Sequence, residues 1–376
     1  MRLNREVENL QYSLIRALKD EAAKYKDVID LTIGEPDIPT PKGLVEEAME
    51  YGKNHQLKYA LSGGGGAIGK LIATHYNKIY GGDYTEENII TNIGASEALS
   101  SALRTILNPG DEVLMTAPYY PGYPPMIKLC YANPIFIDVT NNNFKLSKEL
   151  LKKYKTPKTK AILLSNPCNP TGNVMGYEEM KEIAEFVEEN DIFLISDEIY
   201  SALAFYEYHS FAEFKNIKDK VIIINGFSKS HSMTGWRIGY TICPSKYRRF
   251  FLNTSFYTVS SSMSLSLKGA EIALTKFENR NELVEEYKKR GEYFSAELEK
   301  LGFKVVKPKG AFYIFANYSN LSNLNSLDFS LDLLRKTKVA AVPGISFGVE
   351  GYVRFALTVD IPTLEKAINR LKNFLN

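Results

Sequence analysis

The sequence predicts an α/β chain: a three-layer α/β/α large domain around a mainly parallel sheet, joined to a smaller α+β domain. Three observations carry that prediction. Short β-rich runs alternate with helical periodicity over most of the chain, which is how strands covered by helices on both faces read. The pattern changes after about residue 280 to a long charged helix followed by short strands. An apolar fraction of 44% over 376 residues can fill an interior of that size. The predicted division is 1–40 for the N-terminal part of the small domain, 41–280 for the large domain, and 281–376 for the rest of the small domain.

Apolar residues at helical spacing predict helices from Tyr12 to Lys24, Leu44 to Tyr51, Gly69 to Tyr80, Ala95 to Ile106, Tyr177 to Glu189 and Asn281 to Leu301. Strands are predicted at Asn88 to Asn92, Glu112 to Thr116, Pro134 to Asp138, Ala161 to Ser165, Ile192 to Ser196, Val221 to Asn225 and Gly239 to Cys243. Two more, Lys304 to Pro308 and Ala311 to Phe315, precede a closing amphipathic helix from Pro362 to Leu375.

The charge is close to balanced, 46 basic against 44 acidic residues for a net +2, and no long single-sign block occurs. Nucleic acid and bulk membrane are therefore not expected partners. Cys130, Cys168 and Cys243 lie far apart, with no C-x-x-C spacing, so reduced thiols in the cytoplasm are expected. No apolar stretch approaches the roughly 20 residues a membrane helix needs. His55, His75, His209 and His231 share no ligand spacing, and no metal is expected. Gly64 to Lys70 reads G-x-x-x-x-G-K, but Leu71 stands where a magnesium-binding hydroxyl belongs and no apolar strand precedes the loop, so a nucleotide site is not expected.

The chemistry concentrates in Asn225-Gly-Phe-Ser-Lys-Ser-His-Ser-Met-Thr-Gly-Trp-Arg-Ile-Gly-Tyr240. Lys229 among small and apolar residues has its charged form disfavoured, so its amine can act as a nucleophile near neutral pH. Arg237, eight residues on, offers a planar fork of donors that suits a phosphate. An amine with a phosphate clamp points to pyridoxal phosphate. Ser165-Asn-Pro-Cys-Asn-Pro-Thr-Gly172, Ser196-Asp-Glu-Ile-Tyr200 and Gly351-Tyr-Val-Arg-Phe355 supply further residue types such a cofactor needs. Taken alone, Asp197 also reads as a helix N-cap and Asn169-Pro170-Thr171-Gly172 as an ordinary turn. The proposed residues follow predicted strands, where ligands bind in sheets of this kind.

With Leu31-Thr-Ile-Gly-Glu-Pro-Asp37 and Lys309-Gly-Ala-Phe-Tyr-Ile-Phe315, these motifs resemble the fold-type I, pyridoxal-phosphate-dependent aminotransferases of class I/II, in the gamma subgroup, and most of all the bacterial aromatic-amino-acid transaminases and aminotransferase A enzymes. The resemblance implies that Lys229 is the Schiff-base lysine and that Asp197 pairs with the pyridine nitrogen. It makes Asn169 and Tyr200 donors to the phenolic oxygen. Arg237 with Gly94, Ala95 and Ser96 would bind the phosphate. Ser228 is a further candidate for it, because Gly226 stands where the family often has a hydroxyl, and which serine contacts the phosphate stays open. Tyr120 matches the ring-stacking aromatic, with Tyr119 and Tyr123 as alternatives. Arg354 and Gly34 match contacts to the substrate α-carboxylate, joined by Asn169, and Tyr59 matches a residue that reaches a neighbouring subunit's phosphate site.

A cytoplasmic homodimer is implied. It would move an amino group from an L-amino acid, aromatic or otherwise long, to a 2-oxo acid such as 2-oxoglutarate. An aspartate aminotransferase, a C–S lyase on the same fold and a non-catalytic ligand-sensing domain are the alternatives. Gly66-Ala-Ile-Gly-Lys-Leu71 departs from the family's Gly-x-x-x-Leu-Arg pattern, which implies a mobile loop at Ser62 to Gly66.

Overall fold

The structure is a computed structural model that describes residues 3–10, 14–61, 63 and 66–375. Tyr12, the expected start of the first helix, lies outside the described residues, as do residues 62, 64 and 65 of the expected mobile loop.

Seven strands form the central sheet in the order Ile89–Asn92, Gly239–Ile242, Val221–Gly226, Phe193–Asp197, Thr159–Ser165, Glu112–Ala117 and Asn133–Asp138. The last five run parallel, and Gly239–Ile242 is antiparallel to both neighbours. The expected strands are present with ends shifted by no more than about two residues, the usual uncertainty of strand and helix ends.

Successive strand residues face opposite layers, as the period of two requires. Leu114, Ile162 and Ile223 pack in one apolar cluster with Ile72, Ile183 and Ala273 of the covering helices. Met115, Leu163 and Ile224 pack in another with Ala98 and Leu103 of the helix Gly94–Ile106. The edge strand Asn133–Asp138 is largely exposed and carries Pro134, which blunts pairing with a further strand. A third cluster joins Leu31 and Leu203 to Leu283, Phe294, Phe355 and Leu371. Its sheet has the order Val342–Pro343, Tyr352–Ala356, Tyr313–Asn317, Lys304–Val306, all antiparallel.

Several helices carry no sequence signal strong enough to be expected, among them Arg248–Val259, Ser264–Lys276 and Ser326–Thr337. Ser264–Lys276 shows why. Its buried residues include Ser266, Gly269, Ala270 and Ala273, so close packing of small side chains replaces the large apolar stripe that periodicity detects. Gly269 fits under Trp236, where an added Cβ would lie 2.7 Å from the indole.

One close approach fixes the edge where the site forms. Gly239 lies in register between Asn92 and Gly226, and the N-terminus of the helix Gly94–Ile106 rests against it. A Cβ on Gly239 would meet Ala95 N and Gly94 C at 2.7 Å and Asn225 O at 2.9 Å, all backbone atoms that cannot rotate away. Gly239→Ala is therefore expected to destabilise the fold by about 1–3 kcal/mol, read from urea unfolding midpoints. Gly235, with nothing within 4 Å of an added Cβ, serves as the control, and Gly235→Ala should change stability by less than about 0.5 kcal/mol.

Candidate active site

The carboxyl ends of the parallel strands open into a cavity of about 400 Å³. Of the residues singled out in the sequence, all but Gly94, Tyr59 and the alternative Tyr119 line it. Gly94 is next to the lining: its φ is +76°, and a Cβ there would come within 2.8 Å of Arg237 Nη2, so the guanidinium can lie across the helix N-terminus only because residue 94 is glycine. Tyr59 is 91% exposed, away from the cavity of its own chain.

Asp197 ends the strand Phe193–Asp197 and is 8% exposed. Tyr123 Oη donates to its Oδ2 at 2.8 Å and Ile199 N donates to its Oδ1 at 3.2 Å. Burial pushes the carboxyl up to about 6, against the opposing effect of those two donors and of the Lys229 charge. The adjacent Glu198 is fully buried on the other side, where Ser196, Ser210 and the amide of Phe211 donate to it. The strand's alternation thus sends one carboxylate into the cavity and the other into the packed layer.

Lys229 Nζ donates to Gly34 O at 2.6 Å. Burial pulls its amine down to about 8; Glu35 opposes that shift, and Arg237 and Arg354 add to it. The turn carrying Lys229 is braced by His231, which bridges Ser230 Oγ at 2.8 Å and Phe277 O at 3.1 Å. Tyr200 Oη and Tyr313 Oη share a hydrogen bond of 2.8 Å beside the lysine, whose Nζ lies 6.0 Å from the Tyr200 ring centroid.

Arg354, on the strand Tyr352–Ala356, is 3% exposed. It donates from Nη1 to Asn169 Oδ1 at 3.0 Å and from Nη2 to Thr32 O at 2.7 Å. Its guanidinium lies 4.3 Å from the Tyr313 ring centroid. Its Nε is buried with no hydrogen-bond partner among the described residues, an orphaned charged donor of the kind a ligand carboxylate satisfies. On the other side, Arg237 Nη1 donates to Thr234 O at 2.9 Å, and Ser228 and Ser96 line the wall nearby.

This donor set fits pyridoxal phosphate: a buried anion, an amine of depressed basicity, phenol and amide donors, and a guanidinium over a helix N-terminus, where backbone N–H groups favour phosphate. The three tyrosines left as alternatives take different positions. Tyr119 stacks on Phe136 with centroids 4.9 Å apart, Tyr123 is spent on Asp197, and Tyr120 lines the cavity with an edge contact to Tyr123. Sequence reasoning missed Tyr123 as the partner of Asp197. It also missed Tyr313, Thr32, and the lining residues Ile15, Lys19, Glu35 and Thr234. Tyr313, Thr32, Glu35 and Thr234 stood inside quoted motifs without being singled out; Ile15 and Lys19 carry no local signal, because only the fold brings them to the cavity.

The sequence model of one family, described as aminotransferase class I and II, matches residues 26–371. A relative in Bacillus subtilis (strain 168), named probable N-acetyl-LL-diaminopimelate aminotransferase, is 40% identical over 378 residues, covering 99% of this chain and 95% of its own. An aspartate aminotransferase of Bacillus sp. (strain YM-2) is 35% identical, covering 95% and 94%. Among solved structures, an aspartate aminotransferase from Thermotoga maritima matches with a TM-score of 0.94 at 34% identity over 100% of both chains. An aromatic aminotransferase from Pyrococcus horikoshii OT3 matches with 0.89 at 34% identity, covering 95% of this chain and 98% of its own.

The raised pKa of Asp197 has a consequence for stability. The folded value of about 6 lies above the ordinary value of 3.8 for an aspartate, so the stability it contributes is complete below the lower figure and is lost as pH rises through the upper one. Above pH 6 the buried charge costs the cofactor-free fold up to about 3 kcal/mol. Asp197→Asn is expected to raise the melting temperature of the cofactor-free protein at pH 7.5, with the gain shrinking as pH falls from 6 toward 4. Scanning calorimetry across that range checks it.

Proposed function

The chain belongs to the class I and II aminotransferases and is a pyridoxal-phosphate-dependent transaminase, and from that premise we propose how its residues share the work. The reading is carried by one observation: a buried carboxylate, a half-buried amine of lowered basicity and a buried arginine with an orphaned Nε line a single cavity.

When bound, the cofactor supplies an electron sink for the charge that develops on the substrate's Cα. Asp197, aligned by Tyr123 and the Ile199 amide, holds a proton on the pyridine nitrogen, which keeps that sink effective. Arg237, the helix N-terminus at Gly94, Ala95 and Ser96, and the Ser228 hydroxyl hold the phosphate. Tyr120 stacks on the ring. Asn169 and Tyr200 donate to the phenolic oxygen, with Tyr313 fixing the Tyr200 hydroxyl. Arg354, positioned by Asn169 and Thr32, grips the substrate α-carboxylate, with the carbonyl edge at Gly34 beside it. Lys229 Nζ would hold the cofactor, and its amine is placed to take the proton from substrate Cα. With its amine pulled down to about 8, Lys229 carries far more of the neutral form near neutral pH than an ordinary lysine does.

The substrate is an L-amino acid with an aromatic or otherwise long side chain, and the acceptor is 2-oxoglutarate. Ile15, Leu99, Tyr120 and Met126 give the cavity an apolar wall that suits such a side chain. The names of two relatives, an aromatic aminotransferase and an N-acetyl-LL-diaminopimelate aminotransferase, support a long substrate. Aspartate is the second reading, favoured by the names of other relatives. The division of the chain at residues 40 and 280 is supported by an apolar cluster that lies wholly between Leu44 and Ala273, while the cluster of Leu31, Leu283 and Leu371 takes only Ile199, Tyr200, Leu203 and Phe205 from that span. The working unit is a homodimer, in which the exposed Tyr59 reaches the partner's phosphate site. Its place is the cytoplasm; no helix among the described residues is long and apolar enough to cross a membrane.

A panel of amino acids with 2-oxoglutarate, scored by glutamate formed, tests the reading. Phenylalanine, tyrosine or another long side chain should show kcat/KM above aspartate, and Lys229→Ala should abolish turnover of every donor. A tenfold preference for aspartate, about 1.4 kcal/mol of differential transition-state binding, would replace the first substrate reading with the second.

A further inference from the structure

One charged lining residue has no task in the transamination assigned above. Lys19 lies on the helix Leu14–Ala22 and lines the cavity together with Ile15, one helical turn earlier on the same face. Leu18, 1% exposed, holds that helix against Leu334 and Ala340. Lys19 is exposed and has no ion-pair or hydrogen-bond partner among the described residues.

The other cations of the cavity are engaged: Arg354 with Asn169 and Thr32, Lys229 with Gly34, Arg237 with Thr234. Ser96, on the lining, brings no charge. Glu35, exposed at the same opening, accepts a hydrogen bond from Thr234 and repels any second carboxylate placed on its side. Among the described residues the rim therefore offers one free positive charge and one wall closed to anions.

We propose that Lys19 recognises a distal carboxylate on a long amino-acid or 2-oxo-acid substrate. The proposal rests on the assignment of the α-carboxylate to Arg354. Arg354 is 3% exposed while Lys19 stands at the surface, so a ligand that meets both carries its two anions at the ends of an extended chain. A dicarboxylate of greater length than aspartate has that form. An ammonium on a flexible four-carbon stem follows carboxylates over a range of chain lengths, and at an exposed rim the contact is modest and screened by salt.

The test compares two unreactive acids that differ by one carboxylate. Heptanedioate and heptanoate are titrated into the cofactor-loaded protein by calorimetry, for wild type, Lys19→Met and Lys19→Arg. Lys19→Met should lower the heptanedioate-to-heptanoate affinity ratio about three- to tenfold, and Lys19→Arg should keep it within about twofold. Salt at about 0.5 M should bring wild type toward the methionine variant. The kcat/KM ratio for 2-aminoheptanedioate over 2-aminoheptanoate should move the same way, through KM. An unchanged ratio in Lys19→Met, or equal loss for both acids, overturns the proposal. The α-carboxylate assignment fails by a different sign: heptanoate binding that Arg354→Lys leaves intact.

Discussion

The structure depends on keeping two opposite charges dry in one cavity. Asp197 is buried and Lys229 half-buried, and burial moves each toward its neutral form, the acid up to about 6 and the amine down to about 8. Neither shift is wasted chemically. An amine that loses its proton near neutral pH can serve as nucleophile and base, and an anion poised near neutrality gains most from a cationic ring nitrogen placed beside it. Tyr123 and the Ile199 amide hold Asp197 as an anion. The Gly34 carbonyl holds the Lys229 amine in place. The remaining architecture supports these contacts: parallel strands bring Asp197 and Lys229 to one edge, and the glycines at 94 and 239 let a helix N-terminus and the Arg237 guanidinium approach it.

Much of this was legible in the sequence because the strand signals and the motifs sit together. Three β-rich runs of the central sheet end at or beside residues of the cavity, so Ser165 leads to Asn169, Asp197 closes its strand and Gly226 leads to Lys229. What was not legible depends on contacts between distant segments. Thr32 reaches Arg354 across 322 positions, and Tyr123 reaches Asp197 across 74. The helix Ser264–Lys276 was silent for a different reason: it packs largely through serine, glycine and alanine, and such a surface leaves no broad apolar stripe.

Substrate choice lives at the rim, where sequence alone gave the least. Ser96 brings no charge to the lining, which disfavours a short acidic substrate. The fold brings Lys19 to the same cavity from a helix far away in the chain. A neutral inner wall with a cation at the opening favours long substrates and tolerates an anionic end. Aromatic and extended dicarboxylic side chains can then share one site without rearrangement of the residues that hold the cofactor.

The central claim is that Asp197 is ionised at working pH and holds a proton on the cofactor's ring nitrogen. Nitrogen NMR of ring-labelled pyridoxal phosphate bound to the protein reads that proton directly. The account predicts a protonated ring nitrogen in the wild type across neutral pH and an unprotonated one in Asp197→Asn. A ring nitrogen that stays protonated in the variant would contradict it and assign the proton to another group.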